Sequence, residues 1–365
     1  MTNSKLLLGG LAGLLLLTGC GAARHADDTV TGRSAGFTAT GAVLAGPGRA
    51  VEVNAQGAAL LTTNAGASWS ALRLPGRPAT GDSIAVAGTR VDAVTVDSGG
   101  MRLQRSTDGG RTWQARTVPL TLPTDQAQLA VSPDGSRLAV LATVRGTAND
   151  GDTPQLFVAG PAGTLTARQA PAGGSLAWSG SRLLLTGGAL RSRLYASPDG
   201  GASWAPVAVG GTVAPRFGVD PATPSIGTPL PRSDGTVTVP VLVHQGTGAA
   251  VQLYGGPASA LVAGRRVPLA GQVGPGVLAV VATAGPDEVV VAEPGSSTLH
   301  LVTAGGVRSV RPAGLPGPVD ALSFSDAQHG LAQVTVRSCS GKQDCAETPE
   351  VLATGDGGRS WQRTG

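Results

Sequence analysis

The chain has 365 residues, of which 56 are Gly and 26 are Pro, while charged residues make up 14 % and aromatic ones 3 %. A hydrophobic share of 41 % is too high for a disordered chain, and Gly and Pro at this density would interrupt any long helix. The net charge is a mild +4, and its 27 cations, all Arg except Lys5 and Lys342, form no basic stripe, which argues against nucleic-acid binding. What remains is a turn-rich all-β protein of many short strands.

In chain order, a polar start with Lys5 leads into an apolar run from Leu6 to Leu17. That run is shorter than the roughly 20 residues a membrane span needs, so residues 1–19 read as a signal peptide. Leu17-Thr18-Gly19-Cys20 resembles the bacterial lipobox. The resemblance implies that the Cys20 thiol receives a diacylglycerol and that cleavage leaves Cys20 first in an exported chain, lipid-anchored to the outer face of the cell membrane. The alternative is an ordinary secretory signal with an incidental Cys. Residues 20–35 are small and polar, which suits a flexible tether.

An octapeptide then recurs. Thr62-Thr63-Asn64-Ala65-Gly66-Ala67-Ser68-Trp69 is a degenerate copy of Ser106-Thr107-Asp108-Gly109-Gly110-Arg111-Thr112-Trp113. Full copies return at Ser197 to Trp204, with Asp199, and at Thr354 to Trp361, with Asp356. The carboxylate can accept hydrogen bonds from its own turn, the Gly pair permits positive φ, and the Trp opens the next strand and covers the loop. A structural role is therefore expected for Asn64, Asp108, Asp199 and Asp356 and for Trp69, Trp113, Trp204 and Trp361, in preference to catalysis or calcium binding. This motif resembles the Asp-box, or BNR repeat, of sialidase-like propellers.

The gaps between the four Trp residues leave room for three further units without the box. They are expected around Leu156–Arg168, Val251–Pro268 and Leu299–Arg311, each preceded by two more strands. The expected fold is all-β: a seven-bladed β-propeller of four-stranded antiparallel blades, at approximately 36–76, 77–121, 122–173, 174–210, 211–270, 271–317 and 318–365. Asp320 to Gly330 also resembles the opening of a blade in photosystem II assembly-factor-like propellers. Trp361 begins a last outer strand, so the seventh blade needs no strand from the N-terminus.

An exported chain folds under oxidising conditions, so Cys339 and Cys345 are expected to form a disulfide. Metal binding is the alternative, but His329 lies too far upstream to join them. Asn149-Asp150-Gly151-Asp152 lacks the full ligand loop for calcium. His244, His300 and His329 are far apart in sequence and show no Ser-His-Asp spacing. No metal and no cofactor is expected.

The resemblance raises sialidase-like glycoside hydrolysis, which needs three Arg residues on the substrate carboxylate, a Tyr nucleophile with a Glu partner, and an Asp acid/base. Only Tyr195 and Tyr254 exist, both placed on third strands away from the axis, and the Phe-Arg-Ile-Pro opening of sialidase domains is missing. The preferred reading is non-catalytic: a monomeric module that binds an envelope protein or glycan and meets the membrane only through its lipid. Strand direction puts the boxes on one face and the longer polar loops on the other. Arg145, Asp150, Asp152, Arg191, Arg193, His244 and Arg337 are the expected binding residues of that second face. Solvated loops of unselected length are the competing interpretation.

Overall fold

The structure, a computed structural model, describes residues 29–30, 37–144, 153–160, 163–188, 192–209, 224–245, 248–271, 273–274, 277–339 and 345–364. Seven antiparallel sheets follow one another along the chain as the blades of a ring. From the axis outward, blade 1 has strands Ala39–Gly46, Arg49–Asn54, Ala59–Thr62 and Trp69–Leu72. Blade 2 has Ile84–Ala87, Arg90–Asp97, Gly100–Ser106 and Gln114–Thr117; its second strand also pairs with Arg77–Pro78. Blade 3 comprises Ala127–Val131, Leu138–Val144, Thr153–Ala159 and Leu165–Arg168, and blade 4 Leu176–Ser179, Arg182–Gly187, Arg193–Ser197 and Ala205–Val207. The inner strand of blade 5 is in two pieces, Ser225–Ile226 and Leu230–Pro231, followed by Val237–Gln245, Gly248–Gly256 and Val262–Leu269. Blade 6 comprises Val280–Thr283, Val289–Ala292, Leu299–Thr303 and Gly306–Val310, and blade 7 Val319–Phe324, Gly330–Cys339, Cys345–Thr354 and Gln362–Arg363.

The strands lack a clear apolar–polar alternation because both faces of each sheet are covered. In blade 3, Leu138, Val140 and Ala142 pack towards blade 2, whereas Ala139 and Leu141 on the same strand pack towards blade 4. Each of seven apolar clusters fills one interface between neighbouring blades, so the core is a set of slabs rather than a single centre.

The last of these slabs closes the ring. All four strands of blade 7 come from the C-terminal end, and the seam with blade 1 is made by Ala50, Leu60 and Trp69 against Leu331 and Val351. The Ser323 hydroxyl adds a bond to the Gly46 carbonyl at 2.7 Å. Thr29–Val30, within the expected tether, pairs with Trp69–Ser70 as a fifth strand outside blade 1.

Candidate functional site

The octapeptide loops are closed hydrogen-bonding units. Asp108 Oδ1 accepts from the amides of Arg111 (3.0 Å) and Thr112 (2.9 Å) and from the Ser106 hydroxyl (2.7 Å), while Oδ2 accepts from the Thr112 hydroxyl at 2.6 Å. These donors, the Thr112 hydroxyl foremost, hold the carboxyl well below the ordinary carboxylate range. Asp199 is lowered to about 2, chiefly by the Ser203 hydroxyl and amide. Burial pushes Asp356 up, but bonds from Ser360, Thr354 and Arg359 outweigh it and bring it to about 2. In the degenerate copy the Asn64 amide group donates to Ser68 Oγ at 2.8 Å, while its oxygen accepts the Ser68 amide at 3.0 Å. The indoles of Trp113 and Trp361 donate to Gly110 and Gly358 of their own loops; Trp204 donates to Gln169 of blade 3.

The loops also fasten blades together. The fourth position donates its amide to the first turn of its own blade: Ala65 to Gly48, Gly109 to Thr89, and Gly357 to Gln328. The fifth position abuts the preceding blade. A Cβ on Gly110 would lie 2.3 Å from Leu72 Cδ1 of blade 1, and one on Gly66 would lie 2.3 Å from Thr364 Cγ2 beside blade 7.

The opposite face carries the turns between second and third strands and the blade-to-blade connectors. There a cavity of about 930 Å³ opens where the inner strands of blades 7, 1 and 2 meet. Its polar lining includes Asn54, Gln56, Arg77, Asp82, Asp320 and Gln333. Asp320 Oδ2 accepts the Thr335 hydroxyl at 2.7 Å, and Asp82 Oδ2 accepts Gln128 Nε2 at 3.4 Å. Arg77 faces Asp125 at 3.6 Å. Beside the cavity, the second and third strands of blade 7 continue past the end of the inner strand as a two-stranded ribbon. The Cys339–Cys345 disulfide closes it, and Arg337 stands opposite Glu347. A smaller cavity, about 380 Å³, lies between blades 6 and 7 on the Asp-box face, where blade 6 has a short hairpin instead of a box.

Of the expected binding residues, Arg193, His244 and Arg337 all occur at strand ends on this second face, on blades 4, 5 and 7, and none lines the large cavity. Cys20, Arg145, Asp150, Asp152 and Arg191, like the Asn149 to Asp152 segment, lie outside the described residues. The cavity carboxylates are inconspicuous in the sequence because Asp82 sits in a short connector and Asp320 within an inner strand, not in long loops; their signal is a polar residue at or just before an inner strand. A second cluster was also hidden. Glu293 Oε1 accepts the amides of Ala270 (2.7 Å) and Gly271 (2.8 Å), and its Oε2 lies 3.6 Å from His300 Nε2. The other ring nitrogen of His300 is 2.9 Å from the Ser309 hydroxyl. Burial lowers the His300 pKa despite Glu293, so the imidazole is neutral at neutral pH and the cluster clamps blade 5 to blade 6. Among the described residues, no group of three or more His, Cys, Asp or Glu side chains is placed to hold a metal ion, and no helix is long and apolar enough to cross a membrane.

Fold and loops together define a seven-bladed β-propeller that carries BNR/Asp-box repeats. The BNR/Asp-box repeat model matches residues 104–115, and comparison with curated proteins gives no match. Similar solved structures include YCF48 bound to D1 peptide, at 15 % identity over 87 % of this chain and 93 % of that one, with a TM-score of 0.55. YCF48 from Cyanidioschyzon merolae is 15 % identical over 86 % and 93 %, with a TM-score of 0.50. The GH74 xyloglucanase from Xanthomonas campestris is 18 % identical, with a TM-score of 0.54, over 92 % of this chain but 55 % of its own length. At these identities the likeness is one of fold.

Proposed function

We propose that this propeller is a non-catalytic, lipid-anchored binding module that holds an envelope protein or glycan on the face opposite its Asp-boxes. The observation that carries this reading is the 930 Å³ cavity at the meeting of blades 7, 1 and 2, flanked by the cystine-tipped ribbon. A volume of that size on a rigid ring suits a ligand segment, and the Asp-box carboxylates are all engaged within their own loops. The YCF48 structure with a bound peptide is an instance of this fold in a binding role. Export, anchoring through Cys20 and a monomeric state complete the proposal. A photo-crosslinking residue at Gln56, beside the cavity, should capture a partner on intact cells, and one at Thr107, on the Asp-box face, should not. Capture from Thr107 alone, or from neither, would overturn the reading.

Glycoside hydrolysis is the competing reading, favoured by the presence of Asp82 and Asp320 in one cavity and by a glycosidase among the similar folds. Tyr195 and Tyr254 lie on third strands, away from that cavity, so a tyrosine nucleophile is not available there. Purified protein incubated with a fluorogenic sialoside or with xyloglucan should release no product; release that is lost in Asp82→Asn would establish the hydrolase instead.

A further inference from the structure

We infer that the occupant of the large cavity is a basic segment of a protein chain, with a Lys or Arg side chain meeting Asp82 and Asp320. This rests on the binding role proposed above and names its ligand class. The contrast with the Asp-boxes carries it. There every carboxylate is used up by three or four local donors, whereas Asp320 is steadied by the single hydroxyl of Thr335 and Asp82 by one long bond from Gln128. Neither has a cationic partner among the described residues. The one guanidinium of the lining, Arg77, faces Asp125 instead. Two oriented and uncompensated carboxylates thus line the mouth of a protein whose net charge is +4.

The rest of the lining fits a peptide better than a sugar. Gln56 and Gln333 supply amides that can both donate to and accept from a backbone, and among the described residues no aromatic side chain lines the cavity as a stacking platform for a pyranose ring. The neighbouring ribbon adds an edge that the inner strand leaves unpaired beyond Val334, with Arg337 opposite Glu347. A cation entering the cavity replaces water around two carboxylates that stay partly solvated, so the attraction is real but screened by salt.

The test is fluorescence-polarisation binding to the full chain of three probes: a short Lys- and Arg-rich peptide, its Glu-substituted counterpart, and a neutral oligosaccharide. The basic peptide should bind and weaken as salt is raised, and Asp82→Asn and Asp320→Asn should each weaken it about tenfold. Glu288→Gln, at the smaller cavity on the other face, should leave it unchanged. Both carboxylates are exposed, and an unaltered melting temperature shows that the variants fold. Preference for the acidic peptide or the saccharide, or basic-peptide binding indifferent to both Asp substitutions, would overturn the ligand class while crosslinking at Gln56 still upheld the binding role. Loss of that crosslink as well would remove the role itself.

Discussion

Asn64 is an uncharged counterpart of Asp108, Asp199 and Asp356, and the four loops show what the carboxylate contributes. Each Asp accepts from the Ser or Thr hydroxyl four residues on; in the Asn copy the amide donates and the Ser68 hydroxyl accepts. Hydrogen bonds to the ionised form lower the folded pKa of the three Asp loops. Their stabilisation is therefore complete above the unfolded carboxyl value near 4 and is lost as pH falls towards 2. Acid unfolding followed by circular dichroism should steepen in that window. The triple variant Asp108→Asn, Asp199→Asn, Asp356→Asn should be less pH-dependent there. Ala65, at φ 53°, occupies a left-handed position held by Gly in the other loops. Ala65→Gly should therefore raise stability by about 1 kcal/mol in denaturant titration. The reverse change, Gly110→Ala, puts a Cβ against the buried Leu72 and should cost about 1–3 kcal/mol.

At the level of elements, the blade is the repeating unit but the interface between blades holds the energy. Six interfaces are crossed by the chain itself, through a connector. The seventh, between blades 7 and 1, has no such connector; among the described residues, packing and the Ser323–Gly46 bond help to close it. Leu331, fully buried there, is the residue to test: Leu331→Ala should cost about 2–5 kcal/mol. Hydrogen exchange should then quicken first in Arg49–Thr62 and Leu331–Ala353, on the two sides of the seam. A uniform increase around the ring would mean that the seam is no weaker than its neighbours. The cystine ribbon behaves differently, because beyond Val334 its strands have no inner-strand partner. Cys339→Ser with Cys345→Ser should leave the melting transition of the ring nearly in place while making residues 335–349 sensitive to protease.

Over the whole molecule, the repeating fold places two unlike faces on one rigid ring. The Asp-box face is occupied by loops that satisfy themselves and their neighbours. The opposite face gathers the connectors, the ribbon and a cavity with uncompensated carboxylates. Arg193, His244 and Arg337 were legible as members of that face because strand direction alternates along the chain, whichever blade they occupy. The cavity was not legible, since it joins Asn54, Asp82 and Asp320 from three blades. Nothing in the residues flanking Asp82 or Asp320 separates a carboxylate that lines a cavity from one that merely caps a turn.

The sequence alone determined the repeat, because an Asp-box closes within eight residues and its hydrogen bonds need no distant partner. From the spacing of four Trp residues it also determined the number of blades, and from strand direction the sidedness of the loops. Only the tertiary structure decided which residues meet between blades. Ring closure brings the first and last blades together across nearly the full length of the chain, and no local pattern encodes that distance. The seam at Trp69 and Leu331, the clamp of Glu293 on Ala270 and Gly271, and the cavity shared by blades 7, 1 and 2 all arise there.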